Sequence, residues 1–110
     1  MKIGVDVVAV TRFRKLKKDA PLLYRVFTDA ERQYCNQYRD SAPHFAGLYA
    51  AKEAASKALG CERFPILSLE IRHTPTGAPV LYNRNGKRLR AAISISHERS
   101  VAVAVALADR

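Results

Sequence analysis

Cysteine and acidic residues are the scarce components of this chain of 110 residues. Cys35 and Cys61 are its only cysteines, too few for a disulfide scaffold and not spaced as a CxxC pair. They read as reduced thiols, which places the protein in the cytoplasm. No apolar run approaches the roughly 18 residues of a membrane span. The opening Met1-Lys2-Ile3-Gly4-Val5-Asp6 carries an acid and reads as a strand, not a signal peptide. Repeats, low-complexity tracts and Pro/Gly/Ser-rich linkers are absent, so residues 1–110 are expected to form one domain. Ten Asp+Glu against nineteen Lys+Arg leave a net charge of +9. That balance excludes an acidic solvating tail and points to a polyanionic partner: nucleic acid, anionic membrane, phosphorylated cofactor or acidic protein. The sequence also has no GxxxxGK[ST] loop, no GxGxxG fingerprint and no Ser-His-Asp or Cys-His arrangement.

The elements follow from local pattern. Residues 2–10 are β-branched and predict a largely buried strand interrupted by Asp6. Thr11 is placed to cap a short basic helix over 11–18, which Pro21 ends or restarts. Thr28-Asp29-Ala30-Glu31 has capping-box spacing and predicts a helix to about Arg39. Residues 43–59, alanine-rich with Pro43 in the first turn and Gly60 at the stop, predict a stronger helix. Its apolar stripe would be Phe45, Leu48, Ala55 and Leu59. Strands are expected at 67–72, 79–82, 92–96 and 101–107, the last two joined by His97 to Ser100. Residues 83–90 suit either a hairpin at Asn85-Gly86 or a helical turn. This order predicts α+β, with an antiparallel sheet against a long helix.

Three residues stand out chemically. Asp6 lies inside an apolar strand, where an acid is costly unless paired or metal-bound; the plain alternative is an exposed strand position. Glu53 shares a helix face with Lys57, and the plain alternative there is a solvated ion pair worth about 0.2–0.5 kcal/mol. His97 follows the Ile93-Ser94-Ile95-Ser96 strand, whereas His44 and His73 show no spacing relation to it, so a histidine zinc site has no support. Taken together, two carboxylates suit magnesium, and a nearby lysine and histidine suit phosphate oxygens. Such a set would handle a diphosphate or nucleotide-like substrate.

In chain order these residues resemble the holo-(acyl carrier protein) synthase family, the small 4′-phosphopantetheinyl transferases. Gly4-Val5-Asp6 with Arg12 matches its first motif, and Phe27-Thr28-Asp29-Ala30-Glu31 its F-T-x-x-E segment. Tyr49, Lys52-Glu53-Ala54, Lys57-Ala58 and Gly60 match the helix motif; Gly77 and Pro79 match the G-x-P turn; Ser94-Ile95-Ser96-His97 closes the series. Leu48 stands where the family usually has arginine, Tyr49 replaces the commoner phenylalanine, Thr74 replaces an acid and Ala78 a lysine.

The resemblance implies transfer of phosphopantetheine from coenzyme A to a serine of an apo acyl carrier protein, with adenosine 3′,5′-bisphosphate as by-product. It implies a homotrimer with the cofactor at subunit interfaces. It also implies that Asp6 and Glu53 hold Mg²⁺, that Lys57 contacts phosphate and assists at the leaving group, and that His97 lies beside the cofactor phosphates. The serine is deprotonated either by Glu53 or by a water held between the two acids and the metal. Arg12, Arg14, Lys15 and Lys18, with Lys17 between them, form a basic segment suited to docking an acidic carrier protein. Of these only Arg12 matches a family position. A competing reading of the charge, a basic nucleic-acid-binding domain without catalysis, leaves Asp6 and the Lys52–Lys57 helix unexplained and finds no RRM signature or CxxC…HxxxH finger.

Overall fold

The computed structural model describes residues 1–109. Strand β1 (Lys2–Ala9) is followed by helices α1 (Thr11–Arg14), α2 (Pro21–Val26), α3 (Asp29–Asn36) and α4 (Ala42–Leu59). A 3₁₀ turn at Ile66–Ser68 leads into β2 (Leu69–His73), β3 (Pro79–Asn83), β4 (Ala91–His97) and β5 (Val101–Ala108). The fold is α+β. An antiparallel sheet of order β1-β5-β4 carries α4 on one face, and β2-β3 form a separate antiparallel pair.

Small residues let helix and sheet approach closely. The inner face of β5 is alanine at 102, 104, 106 and 108, all buried. A Cβ added at Gly4 would lie 1.9 Å from the Ala54 carbonyl oxygen, and one at Gly47 would meet Ile95 Cγ2 at 3.1 Å. The helix therefore crosses the sheet obliquely, its first half over β4 and its second half over β1. Alanine is the best intrinsic helix former and adds no side-chain bulk, so one stretch satisfies both demands. The predicted stripe of Phe45, Leu48, Ala55 and Leu59 is buried, but burial extends nearly all round α4 and includes Lys52. Pro43 sits in its first turn and Gly60, at φ 106°, ends it.

Three boundaries differ from expectation. β1 is not largely buried: Gly4 and Val8 face α4, while Ile3 (69% exposed), Val5 (51%) and Val7 (62%) point outward. The outer face of the strand is apolar and has no cover within this chain. Thr11 does not cap α1; Val10 occupies the cap position without a side-chain bond, and the helix ends at Arg14. Pro21 then restarts the chain as α2. Helix α3 stops at Asn36, not near Arg39. Its capping box forms as expected, with Glu31 N–H donating to Thr28 Oγ1 (3.2 Å) and Thr28 N–H donating to Glu31 Oε1 (2.9 Å). Residues 83–90 resolve as a turn, Asn83 Oδ1 accepting from the N–H groups of Asn85 and Lys87.

Candidate active site

Asp6 lies on the inner face of β1, two residues beyond the Gly4–Ala54 contact, with its side chain only 17% exposed. Lys57 Nζ donates to Asp6 Oδ1 (3.3 Å) and to the Val5 carbonyl oxygen (3.0 Å). Lys57 thus reaches across to the strand and does not form the expected i,i+4 pair with Glu53. Glu53 stands one helical turn before Lys57 on the same face, half-buried, and its carboxylate has no hydrogen-bond or ion-pair partner among the described residues. The logic is short: Gly4 brings β1 against α4, Glu53 and Lys57 share one face of α4, and the strand period puts Asp6 on the inner face of β1, where Lys57 reaches it.

The Asp6 and Glu53 carboxylates offer hard oxygen donors, and Lys57 beside Asp6 offsets part of their charge. Magnesium binds through one or two such carboxylates plus phosphate oxygens and water, so the residues fit that ion. Among the described residues no cluster of three or more His, Cys, Asp or Glu side chains forms a metal-binding group, so the phosphates and water would supply the other ligands.

Behind this face lies a network that the sequence shows only in part. Glu31 and Lys52 are fully buried. Lys52 Nζ donates to Glu31 Oε1 (2.7 Å) and to the Val26 carbonyl oxygen (2.7 Å), while Ile71 N–H donates to Glu31 Oε2 (2.7 Å). The Glu31–Lys52 pair thereby fastens α2, α3, α4 and β2 together and fixes the rotation of α4 at the residue preceding Glu53. The capping-box spacing announced the Thr28 bonds; nothing local announced Lys52. Burial lowers the proton affinity of Lys52, and Glu31 beside it opposes that shift.

His97 falls elsewhere. It sits at the β4 edge of the sheet, where a Cβ added at Gly47 would lie 3.8 Å from its Cδ2, while Asp6 is on β1 at the opposite edge. It lines a cavity of about 150 Å³ that also receives Tyr34, His44, His73 and Pro79. His44 and His97 ring centroids are 4.8 Å apart, although no sequence spacing relates them. They come from α4 and β4, and only the packing of that helix on that strand joins them.

The basic segment is exposed, and two of its members are engaged. Arg12 lies over the Tyr49 ring at 5.0 Å. Arg14 Nη1 donates to both carboxylate oxygens of Asp40 (2.8 and 2.9 Å), which holds the Asp40 carboxyl below the usual carboxylate range. Lys18 borders a groove of about 250 Å³ whose floor is Phe13, Leu16, Leu23 and Phe45.

Known proteins are similar to this chain in sequence and fold. The family model of the 4′-phosphopantetheinyl transferase superfamily matches residues 2–106. A holo-[acyl-carrier-protein] synthase from Caldicellulosiruptor bescii is 43% identical, the match covering 98% of this chain and 97% of that protein. The crystal structure of the Helicobacter pylori holo-[acyl-carrier-protein] synthase in complex with coenzyme A superposes with a TM-score of 0.81 at 29% identity, covering 97% of this chain and 99% of that one. A Bacillus anthracis holo-(acyl-carrier-protein) synthase in complex with CoA (3′,5′-ADP) gives 0.79 at 30% identity, with 96% and 92% covered.

Proposed function

The chain belongs to the 4′-phosphopantetheinyl transferase superfamily, and from that premise we propose how its own residues perform the reaction. It is a holo-(acyl carrier protein) synthase: it transfers 4′-phosphopantetheine from coenzyme A to a serine of an apo acyl carrier protein. The serine oxygen forms a bond to the phosphorus next to pantetheine, the diphosphate P–O bond breaks, and adenosine 3′,5′-bisphosphate leaves. In such a transfer the protein mainly positions the reactants and offsets charge.

We propose that Asp6 and Glu53 hold a magnesium ion against the coenzyme A diphosphate. When bound, that ion would neutralise the charge that develops on the diphosphate. Lys57, fixed by the Val5 carbonyl and Asp6, directs its ammonium toward the leaving phosphate. Glu53, the carboxylate without a protein partner, accepts the proton of the serine hydroxyl. The observation that carries this reading is the Lys57–Asp6 contact, which joins the strand acid to the face that bears Glu53. His97 belongs to the cofactor's other phosphates.

A homotrimer accounts for two further features. The outer sheet face pairs Ile3 with Leu107, Val5 with Val105 and Val7 with Val103, an apolar surface with no cover from this chain. The two parts of the site lie at opposite edges of that sheet with α4 packed between them. Contact between the β1 edge of one protomer and the β4 edge of the next would bring them to one coenzyme A, and repetition of such a contact closes a ring.

The acidic carrier protein docks against Lys15 and Lys18, with Arg12 and Arg14 alongside and the Phe13–Phe45 groove beneath. Among the described residues no helix is long and apolar enough to cross a membrane; separately, the two free cysteines support a cytoplasmic setting. Incubating the protein with an apo carrier protein, coenzyme A and magnesium, followed by mass spectrometry, tests the reading. One phosphopantetheine per carrier protein is expected; no adduct across several carrier proteins would overturn it.

A further inference from the structure

Among the described residues, Glu31 and Lys52 are the charged side chains withdrawn completely from solvent, and the reaction scheme above uses neither. Lys52 Nζ is held by Glu31 Oε1 and the Val26 carbonyl oxygen, both at 2.7 Å, and lies 5.2 Å from the centre of the Phe27 ring. Val26 is the last residue of α2, and its carbonyl also accepts from Arg84 Nη2 (2.8 Å), so two cations converge on the electronegative end of that helix. Stability alone does not select such an arrangement. A buried ion pair pays for desolvation, and apolar residues of similar volume often serve as well or better.

The remainder of α4 shows what the pair supplies. Between Leu48 and Leu59 its buried side chains are alanine, apart from Lys52 and Ser56. The sheet meets this stretch with Gly4 and the alanines of β5. Small residues on both surfaces permit close approach, but without large ridges and grooves they resist rotation of the helix about its axis only weakly. Successive residues of an α-helix turn by about 100°. Lys52 faces α2 and α3, Ala54 faces Gly4 of β1, and Glu53 comes out at the edge between these two layers. The sheet contact fixes the distance of the helix, and Lys52, bonded on the other side, fixes its rotation. A side-chain tip roughly 5–6 Å from the helix axis moves by about 1 Å when the helix turns by about 10°.

Resting on the transferase reading above, we propose that Lys52 and Glu31 are positioning residues for Glu53: their buried pair holds α4 at the rotation that aims the Glu53 carboxylate at the metal and the attacking serine. Neither side chain touches a reactant. The effect is geometric, and its size follows from two general limits. Magnesium demands near-ideal octahedral geometry, and a misplacement of about 1 Å in a reacting group costs on the order of 100-fold in rate.

A double-mutant cycle against Glu53 tests this. Lys52→Met is the direct variant. Joining it to Glu31→Gln removes the stranded carboxylate and leaves the net charge of the pair unchanged, so the folded protein is compared without a change in the field at the site. In this double variant kcat should fall roughly 10- to 100-fold, while KM for coenzyme A and for the carrier protein stays within about threefold. The same two substitutions added to Glu53→Gln should change the remaining rate by less than about twofold, because nothing is left to position. Mn²⁺ binding followed by electron paramagnetic resonance, with coenzyme A present and carrier protein absent, gives a readout without turnover. Affinity should drop about tenfold in the double variant and stay level when the pair is changed in Glu53→Gln. A wild-type kcat in the double variant, an equal fold loss with and without Glu53, or unchanged Mn²⁺ affinity would overturn the inference while leaving transfer intact. Absence of transfer by the unaltered protein would instead remove the transferase reading, and the positioning role with it.

Discussion

Lys57 Nζ lies 3.3 Å from Asp6 Oδ1 and 3.0 Å from the Val5 carbonyl oxygen, so one side chain of α4 fastens the strand that carries the first acid to the helix that carries the second. That contact spans 51 residues of sequence. The proposed joint role of Asp6 and Glu53 starts from that contact, and so do the expected consequences.

Asp6→Asn and Glu53→Gln each remove a metal-binding charge and keep the side-chain volume. Each should lower transfer by on the order of 100-fold or more at ordinary magnesium while circular dichroism stays unchanged. Turnover at the wild-type rate in either purified variant would reject the role of that residue.

Gly4→Ala tests the close approach itself. The added methyl meets the Ala54 carbonyl oxygen at 1.9 Å, and backbone on both sides cannot yield cheaply. A loss of about 1–3 kcal/mol in denaturant unfolding is expected, together with reduced transfer as Asp6 shifts away from Glu53.

Lys52→Met leaves Glu31 buried without its cation and should cost about 3–5 kcal/mol, a large share of the stability of a chain this size. Joining it to Glu31→Gln removes the stranded charge. The double variant should therefore lose much less than the two single losses together, and strict additivity would contradict the coupling.

The lowered proton affinities of His44 and His73 have a thermodynamic sign. Between their folded values and the unfolded value of about 6.5, the unfolded chain binds more protons, so stability rises with pH across that window and levels off above it. Urea midpoints from pH 5 to 8 should show this slope, and His44→Gln with His73→Gln should flatten it.

Lys15→Glu with Lys18→Glu should raise the KM for the carrier protein several-fold at low salt with little change in kcat, and the effect should shrink as salt screens the encounter. Arg14 is the poorer choice, because its guanidinium is already held by Asp40. An unchanged KM would remove the basic segment from the docking surface.

The sequence revealed most where the cause is local. Thr28 and Glu31 sit three residues apart, and the capping box they predict is present. Gly60 marks the end of α4 because a left-handed backbone suits glycine. Long-range partners were not legible: Glu31 reads as a cap until Lys52 is folded against it, and Lys57 reads as the partner of Glu53 until β1 arrives. His44 and His97 are unrelated in spacing and become neighbours only across the helix–sheet contact. The buried reading of β1 failed for a different reason. A run of Val and Ile signals burial, but Ile3, Val5 and Val7 lie on the outer face, which this chain leaves uncovered.

The most direct measurement of the central claim is a crystal structure of the protein with coenzyme A and magnesium. The account predicts carboxylate oxygens of Asp6 and Glu53 within about 2.0–2.1 Å of one octahedral ion that also touches the cofactor diphosphate. An ion held without either carboxylate, or a diphosphate seated away from Lys57, would contradict it.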